Sequence, residues 1–167
     1  MNSLLRVLFV EDSREDLEIV RRELNGLATV DGAADRAEFD AALKEHYDVV
    51  LVDLHLRDFD GEEAVRLVKE SNALTPVIIV TGSVDEETAA LACQSGACDY
   101  VMKSLRMHRL RMAVRNAHED AQRKRREEAN QQSELLGQLS TGLAHDLNGV
   151  LGVIMAGSDI LRKTAEG

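Results

Sequence analysis

The chain has 167 residues, 44% of them apolar but only 3% aromatic, with no tryptophan and a formal charge of −10. That is one ordinary domain plus an appendage, with a core drawn from Val, Leu, Ile and Ala. Residues 1–103 carry 22 acidic against 10 basic side chains and residues 104–167 carry 8 against 10, so the acidic front part argues against nucleic acid as a ligand.

In chain order, Leu5–Val10 (LRVLFV) reads as a strand ending at Glu11-Asp12. Residues 13–24 set Leu17, Val20 and Leu24 on one helical face, with Ser13 as N-cap. Residues 28–33 form a weak, edge-like strand. Asp35 caps a helix over 36–46, with Glu38 placed as in a capping box. Asp48–Asp53 (DVVLVD) is a wholly apolar run between aspartates, the pattern of a buried parallel strand. A helix over 62–71 follows. Pro76–Thr81 (PVIIVT) is a second interior strand, its proline tolerable only at the first position. Residues 85–95 read as helix, with Gly96 placed just beyond its C-cap, and Tyr100–Met102 as a last strand. The alternation predicts an α/β fold with a five-stranded parallel, doubly wound sheet.

Ligands of such sheets bind beyond the carboxyl ends of the strands. Glu11 and Asp12, Asp53, Thr81 and Lys103 all fall there. Three carboxylates, a hydroxyl and an ammonium on one rim call for a small hard cation, because crowded carboxylates repel. The expected ligands of Mg2+ are Asp12, Asp53 and the backbone carbonyl of His55, with Glu11 holding a metal-bound water. Asp53 is the candidate nucleophile of a phosphoryl transfer, Lys103 the partner of a phosphoryl oxygen and Thr81 a further donor. Inward movement of Thr81 would open room for Tyr100, a two-state element.

After Lys103 helix formers dominate, and residues 105–163 contain no proline. The continuous reading is one helix of about 90 Å at 1.5 Å per residue, which calls for a partner. Its middle, Arg123–Glu128, is polar on every side, as in a solvated linker. Leu136, Leu139, Leu143, Leu147, Val150 and Ile154 follow the three- and four-residue steps of a helical seam. The last four cluster within roughly 60° of the wheel, and His145 lies roughly opposite them. The two cysteines, Cys93 and Cys98, show no metal-ligand spacing and fit a reducing compartment. With no 18-residue apolar run and no signal-peptide layout in residues 1–10, the expected location is cytoplasmic, without direct membrane contact.

These residues resemble the receiver domain of two-component response regulators over residues 1–120. The acidic pair is Glu11-Asp12 in VLFVEDS, the phospho-acceptor Asp53 in VVLVDLHL, the loop glycine Gly61, the switch pair Thr81 and Tyr100, and the lysine Lys103 in DYVMKS. The resemblance implies strand order 2-1-3-4-5 with five helices, followed here by a long C-terminal helical extension. Two positions depart from the family pattern: Ser104 and Arg57 stand where prolines are usual. The expectation is a trans Lys103-Ser104 bond, a slightly altered lysine approach and surviving chemistry.

Residues 133–167, with SELLGQLSTGLAHDLNGVLGVI at their start, resemble the first helix of a histidine-kinase dimerisation and histidine-phosphotransfer domain. That likeness implies that His145 is a phosphorylated histidine, that Asp146 orients its ring or accepts its proton, and that Asn148 is the first asparagine of the motif; Gly149 replaces a second asparagine. Residues 105–132 then form a linker helix continuous with the last receiver helix. The implied function is Mg2+-dependent transfer from phosphohistidine to Asp53, coupled through that helix to the His145 segment. The implied partners are a cognate histidine kinase or phosphotransfer protein and a second copy of the chain. No ATP-binding domain or glycine-rich nucleotide loop follows, so self-phosphorylation from ATP is not expected. The chain reads as the front of a receiver-containing kinase or as a naturally shortened regulator. The alternative is a regulator whose phosphorylation gates protein binding, without a phosphohistidine.

Overall fold

A computed structural model describes residues 4–82, 94, 96–103, 109–134 and 136. Two compact units divide the chain, Met1–Lys124 and Arg125–Gly167.

The first unit is an α/β sandwich. Its elements are β1 (Leu5–Val10), α1 (Arg14–Glu23), β2 (Ala28–Ala33), α2 (Arg36–Ala42), β3 (Val49–Val52), α3 (Gly61–Ser71), β4 (Val77–Thr81) and β5 (Asp99–Met102). All strand pairings are parallel, in the order β2-β1-β3-β4-β5. Every residue of β3 and β4 is buried, whereas β2 alternates and lies at the edge. This is the expected division between interior and edge strands.

Side-chain alternation along β1 feeds two cores. Val7 and Phe9 point to one face, with Val20 of α1 and its C-cap Leu24, Leu51, Ile78, Val80 and Val101. Leu110, Ala113, Val114 and Ala117 of the helix over 109–134 close that face. Leu8 and Val10 point to the other, with Phe39 of α2, Val50, Val52, Ile79 and Val65 and Val68 of α3. Each buried Val, Leu, Ile or Phe among them contributes roughly 1.5–3 kcal/mol by leaving water.

Helix starts follow the expected chemistry. Ser13 accepts from the Asp16 N–H at 3.3 Å, and Asp35 Oδ1 accepts from the Glu38 N–H at 2.8 Å. Glu38 reaches back to the N–H of Ala34 rather than to that of Asp35. The helix expected over 36–46 ends at Ala42 instead. Lys44 and Glu45 make tight bonds to Ala41 and Ala42, three residues back, and Tyr47 turns into the core. Such i→i−3 bonds close a helix. Gly26 and Gly96 take positive φ values of 76° and 88°, a region that glycine enters at little cost.

Residues 109–134 are helical throughout. Within the first unit, Arg111 donates to the carbonyls of Glu23 and Asn25 at 2.8 and 2.9 Å. In the second unit, residues 126–134 are exposed, as is Leu136 at the start of the expected seam. Among the described residues no helix is long and apolar enough to cross a membrane. Apart from Gln94, the helix expected over 85–95 lies outside the described residues, as do Cys93, Ser104, the rest of the seam, His145 and Asp146.

Candidate functional site

Parallel pairing brings the ends of β1, β3, β4 and β5 to one rim. Backbone bonds lock their register: Asp53 N–H to Val10 O at 3.0 Å and Lys103 N–H to Thr81 O at 2.8 Å. The ladder therefore carries Glu11, Asp53, Thr81 and Lys103 to neighbouring positions.

Lys103 is the electrostatic centre. Its Nζ lies 2.6 Å from Glu11 Oε2, 2.6 Å from Asp16 Oδ2 and 2.8 Å from Asp53 Oδ2. An ammonium has three N–H donors, and all three are used. Burial by itself would push the lysine down; the bonds to Asp16, Asp53 and Glu11 together overcome this and raise it above its ordinary value. Glu11 is nearly inaccessible, and burial pushes its carboxyl up despite its bonds to Lys103 and to the Ser13 N–H. Both Glu11 oxygens are thus engaged by protein donors.

Asp53 is 5% exposed, so the candidate nucleophile is reached only from the rim. Its Oδ2 faces Lys103, and its Oδ1 accepts the His55 N–H at 3.1 Å. The His55 ring reaches outward, its Nδ1 4.0 Å from Asp53 Oδ1. Gly61, at the start of α3, closes the loop against this residue. A Cβ there would lie 2.4 Å from the Asp53 carbonyl oxygen and 2.6 Å from Leu54 Cα. The sequence names this glycine only by family likeness; the structure supplies the reason, a backbone approach that no side chain permits.

Asp12 stands beside the ammonium cluster with a different partner. Its Oδ2 lies 2.9 Å from Arg57 Nε, yet this buried oxygen has no hydrogen bond. Thr81 is fully buried at the end of β4, and Tyr100, on β5, is 37% exposed.

Two participants escaped the sequence reading. Asp16, in the first turn of α1, has the pattern of an acid placed to complement a helix dipole. Only the fold shows it turned onto Lys103. Arg57 was legible as a missing proline and not as a guanidinium on Asp12.

The donors fit a small hard cation in kind, since they are oxygens and one of them is buried without a hydrogen bond. Among the described residues no group of three or more His, Cys, Asp or Glu side chains is arranged to hold a metal. The expected set, two carboxylates and a carbonyl, is not of that kind.

Residues 7–115 match the family described as "Response regulator receiver domain". The regulatory protein AtoC of Escherichia coli is 32% identical over 123 residues, which cover 70% of this chain and 26% of AtoC. Among solved structures, the BeF3-activated receiver domain of DrrB from Thermotoga maritima is 29% identical with a TM-score of 0.65, covering 70% of this chain and 99% of that one. A CheY-like receiver domain protein of Methanospirillum hungatei is 26% identical with a TM-score of 0.66, covering 73% and 99%. The chain spans about a quarter to a half of the length of AtoC and two DctR response regulators that it matches. Receiver domains act in two-component signalling through phosphorylation of an aspartate, commonly with Mg2+, and pair with histidine kinases or phosphotransfer proteins. On the extent of its match, this chain belongs to the response regulator receiver domain family.

Proposed function

We propose that the chain takes a phosphoryl group from phosphohistidine onto Asp53 and relays the change to its C-terminal helical segment. The observation that carries this reading is the Lys103 ammonium, held on Asp53 Oδ2 at 2.8 Å and on Glu11 at 2.6 Å. A buried carboxylate beside a fixed cation is placed for in-line displacement, where positioning and charge neutralisation dominate.

A carboxylate oxygen of Asp53 attacks phosphorus, and the phosphorus–nitrogen bond to the donor imidazole breaks. The nitrogen keeps the electron pair and takes a proton from solvent. Lys103 exchanges its Asp53 contact for a phosphoryl oxygen, and Thr81 donates to another. When bound, Mg2+ supplies neutralisation of the negative charge gathered on carboxylate and phosphoryl oxygens. Asp12, Asp53 and the His55 carbonyl are its proposed holders, with Glu11 behind them.

The helical part of the proposal rests on the histidine-phosphotransfer likeness of 133–167, with His145 as phosphoryl carrier and Asp146 orienting it. Dimerisation through that segment would give a parallel pair, although a bundle core is normally enclosed by four helices. The whole then acts as part of a receiver-containing kinase.

Intact-mass spectrometry after incubation with acetyl phosphate and Mg2+ tests both sites. Wild type is expected to gain one phosphoryl mass, Asp53→Asn none and His145→Ala the same as wild type. Undiminished labelling of Asp53→Asn would refute the nucleophile. Transfer from phosphorylated chain to a partner, lost in His145→Ala, tests the second site.

A further inference from the structure

Arg57 is the one residue of the β3–α3 loop that places a full positive charge on the acidic rim. Its Nε lies 2.9 Å from Asp12 Oδ2, while its side chain stays 82% exposed. Asp12 is the reverse: 17% exposed, with the oxygen facing Arg57 buried and outside any hydrogen bond. The guanidinium therefore neutralises the carboxylate by charge and proximity, without the aligned bonds that fix an arginine in place. Lys103 has its three donors on Glu11, Asp16 and Asp53, so Asp12 has Arg57 as its ion-pair partner among the described residues.

We propose that Arg57 is a built-in competitor for the divalent cation at Asp12, a tethered charge that any entering ion must displace. The inference rests on the reading of Asp12 as a metal ligand. A cation and a guanidinium, both positive, repel each other when they approach the same buried oxygen, so each weakens the other's hold on it. The exposed arginine is the partner that yields, because its head is already largely hydrated. A loop residue with no arm on Asp12 would leave that oxygen open to the ion. Arg57 thus raises the Mg2+ concentration at which the rim fills, and it frees a cationic side chain beside the phospho-acceptor once the ion is bound. An exposed ion pair of this kind corresponds to about a two- to fivefold effect on affinity, and the effect fades as salt screens the pair.

Calorimetric titration of MgCl2 into the full chain at low ionic strength tests this in wild type, Arg57→Ala, Asp12→Asn and the double variant. Arg57→Ala is expected to bind Mg2+ about two- to fivefold more tightly, and in the Asp12→Asn background the same change is expected to bring no gain. Arg22→Ala, at the exposed far end of α1, removes an equal formal charge and is expected to leave affinity unchanged. Unchanged or weaker binding by Arg57→Ala overturns the inference while leaving Asp12 as a ligand. An equal gain in Arg22→Ala also overturns it, because the effect would then be a general one of net charge. If Asp12→Asn alone binds Mg2+ as tightly as wild type, the ligand assignment itself fails and the inference falls with it.

Discussion

Replacing Lys103 with methionine tests the electrostatic design of the rim directly. The variant keeps an apolar stem of similar length but strips the ammonium from Glu11, Asp16 and Asp53, which it meets at 2.6, 2.6 and 2.8 Å. The side chains of Glu11 and Asp53 are only 1% and 7% exposed, whereas that of Asp16, at 27%, rehydrates more readily. Breaking a buried ion pair costs about 3–5 kcal/mol; with one of the three partners able to reach water, about 2–4 kcal/mol is expected here. Urea unfolding reads this as a midpoint lowered by about 1–2 M for a slope of about 2 kcal/mol/M.

The pH dependence gives the sharper check. Burial already pushes Glu11 above its ordinary value of 4.5, and loss of Lys103 removes the bonds that oppose that rise. The folded variant then binds protons more readily than its unfolded chain. Its stability therefore rises as pH falls through the raised value towards 4.5, by about 1.4 kcal/mol per unit at most. The gap between wild type and Lys103→Met should narrow over that range. A gap under about 1 kcal/mol at pH 7, or one that stays constant as pH falls to 4.5, would refute the view of Lys103 as the counter-ion of a buried acidic cluster.

Gly61→Ala should be costly for a residue at a helix start, because its Cβ would strike the backbone of Asp53 and Leu54 at 2.4 and 2.6 Å. About 2 kcal/mol or more of lost stability is expected, together with slower labelling of Asp53 by acetyl phosphate; normal values of both would show that the loop yields freely. Lys69 donates to Thr75 O at 2.8 Å, and burial lowers it below the ordinary 10.5. The unfolded chain binds the extra proton between the lowered value and 10.5, so stability rises with pH in that window. Relative to Lys69→Met, wild type should gain stability in urea unfolding as pH rises towards 10.5. A constant or shrinking difference would sink the argument.

The sheet was legible because burial dictates composition there. The apolar runs at Val49–Val52 and Val77–Thr81 lie in interior strands, and the mixed run at Ala28–Ala33 lies at the edge. Strand bounds differed by a residue, since ladder bonds at Asp48 and Asp53 extend beyond the strand itself. The end of α2 was not legible: Leu43, Lys44 and Glu45 are all good helix formers, and tertiary packing of Tyr47 decides the turn. At the site, Glu11, Asp53 and Lys103 could be grouped because the rule of strand ends acts on position alone. Asp16 and Arg57 could not, because each joins the rim through side-chain direction, which periodicity does not encode.

The helix over 109–134 has a practical consequence for dissecting the chain. Leu110 and Val114 are fully buried in the same core as Phe9 and Leu51, with Ala117 and Ala121 beside or beyond them. Arg111 also ties this helix to the turn after α1. A cut placed near residue 108, after the last strand, would strip Leu110, Val114 and Ala117 from the sheet face they share with α1, and the shortened piece is expected to lose solubility. The shortest piece that keeps its inner surface sealed reaches past Ala121, into the stretch that otherwise looks like mere spacer.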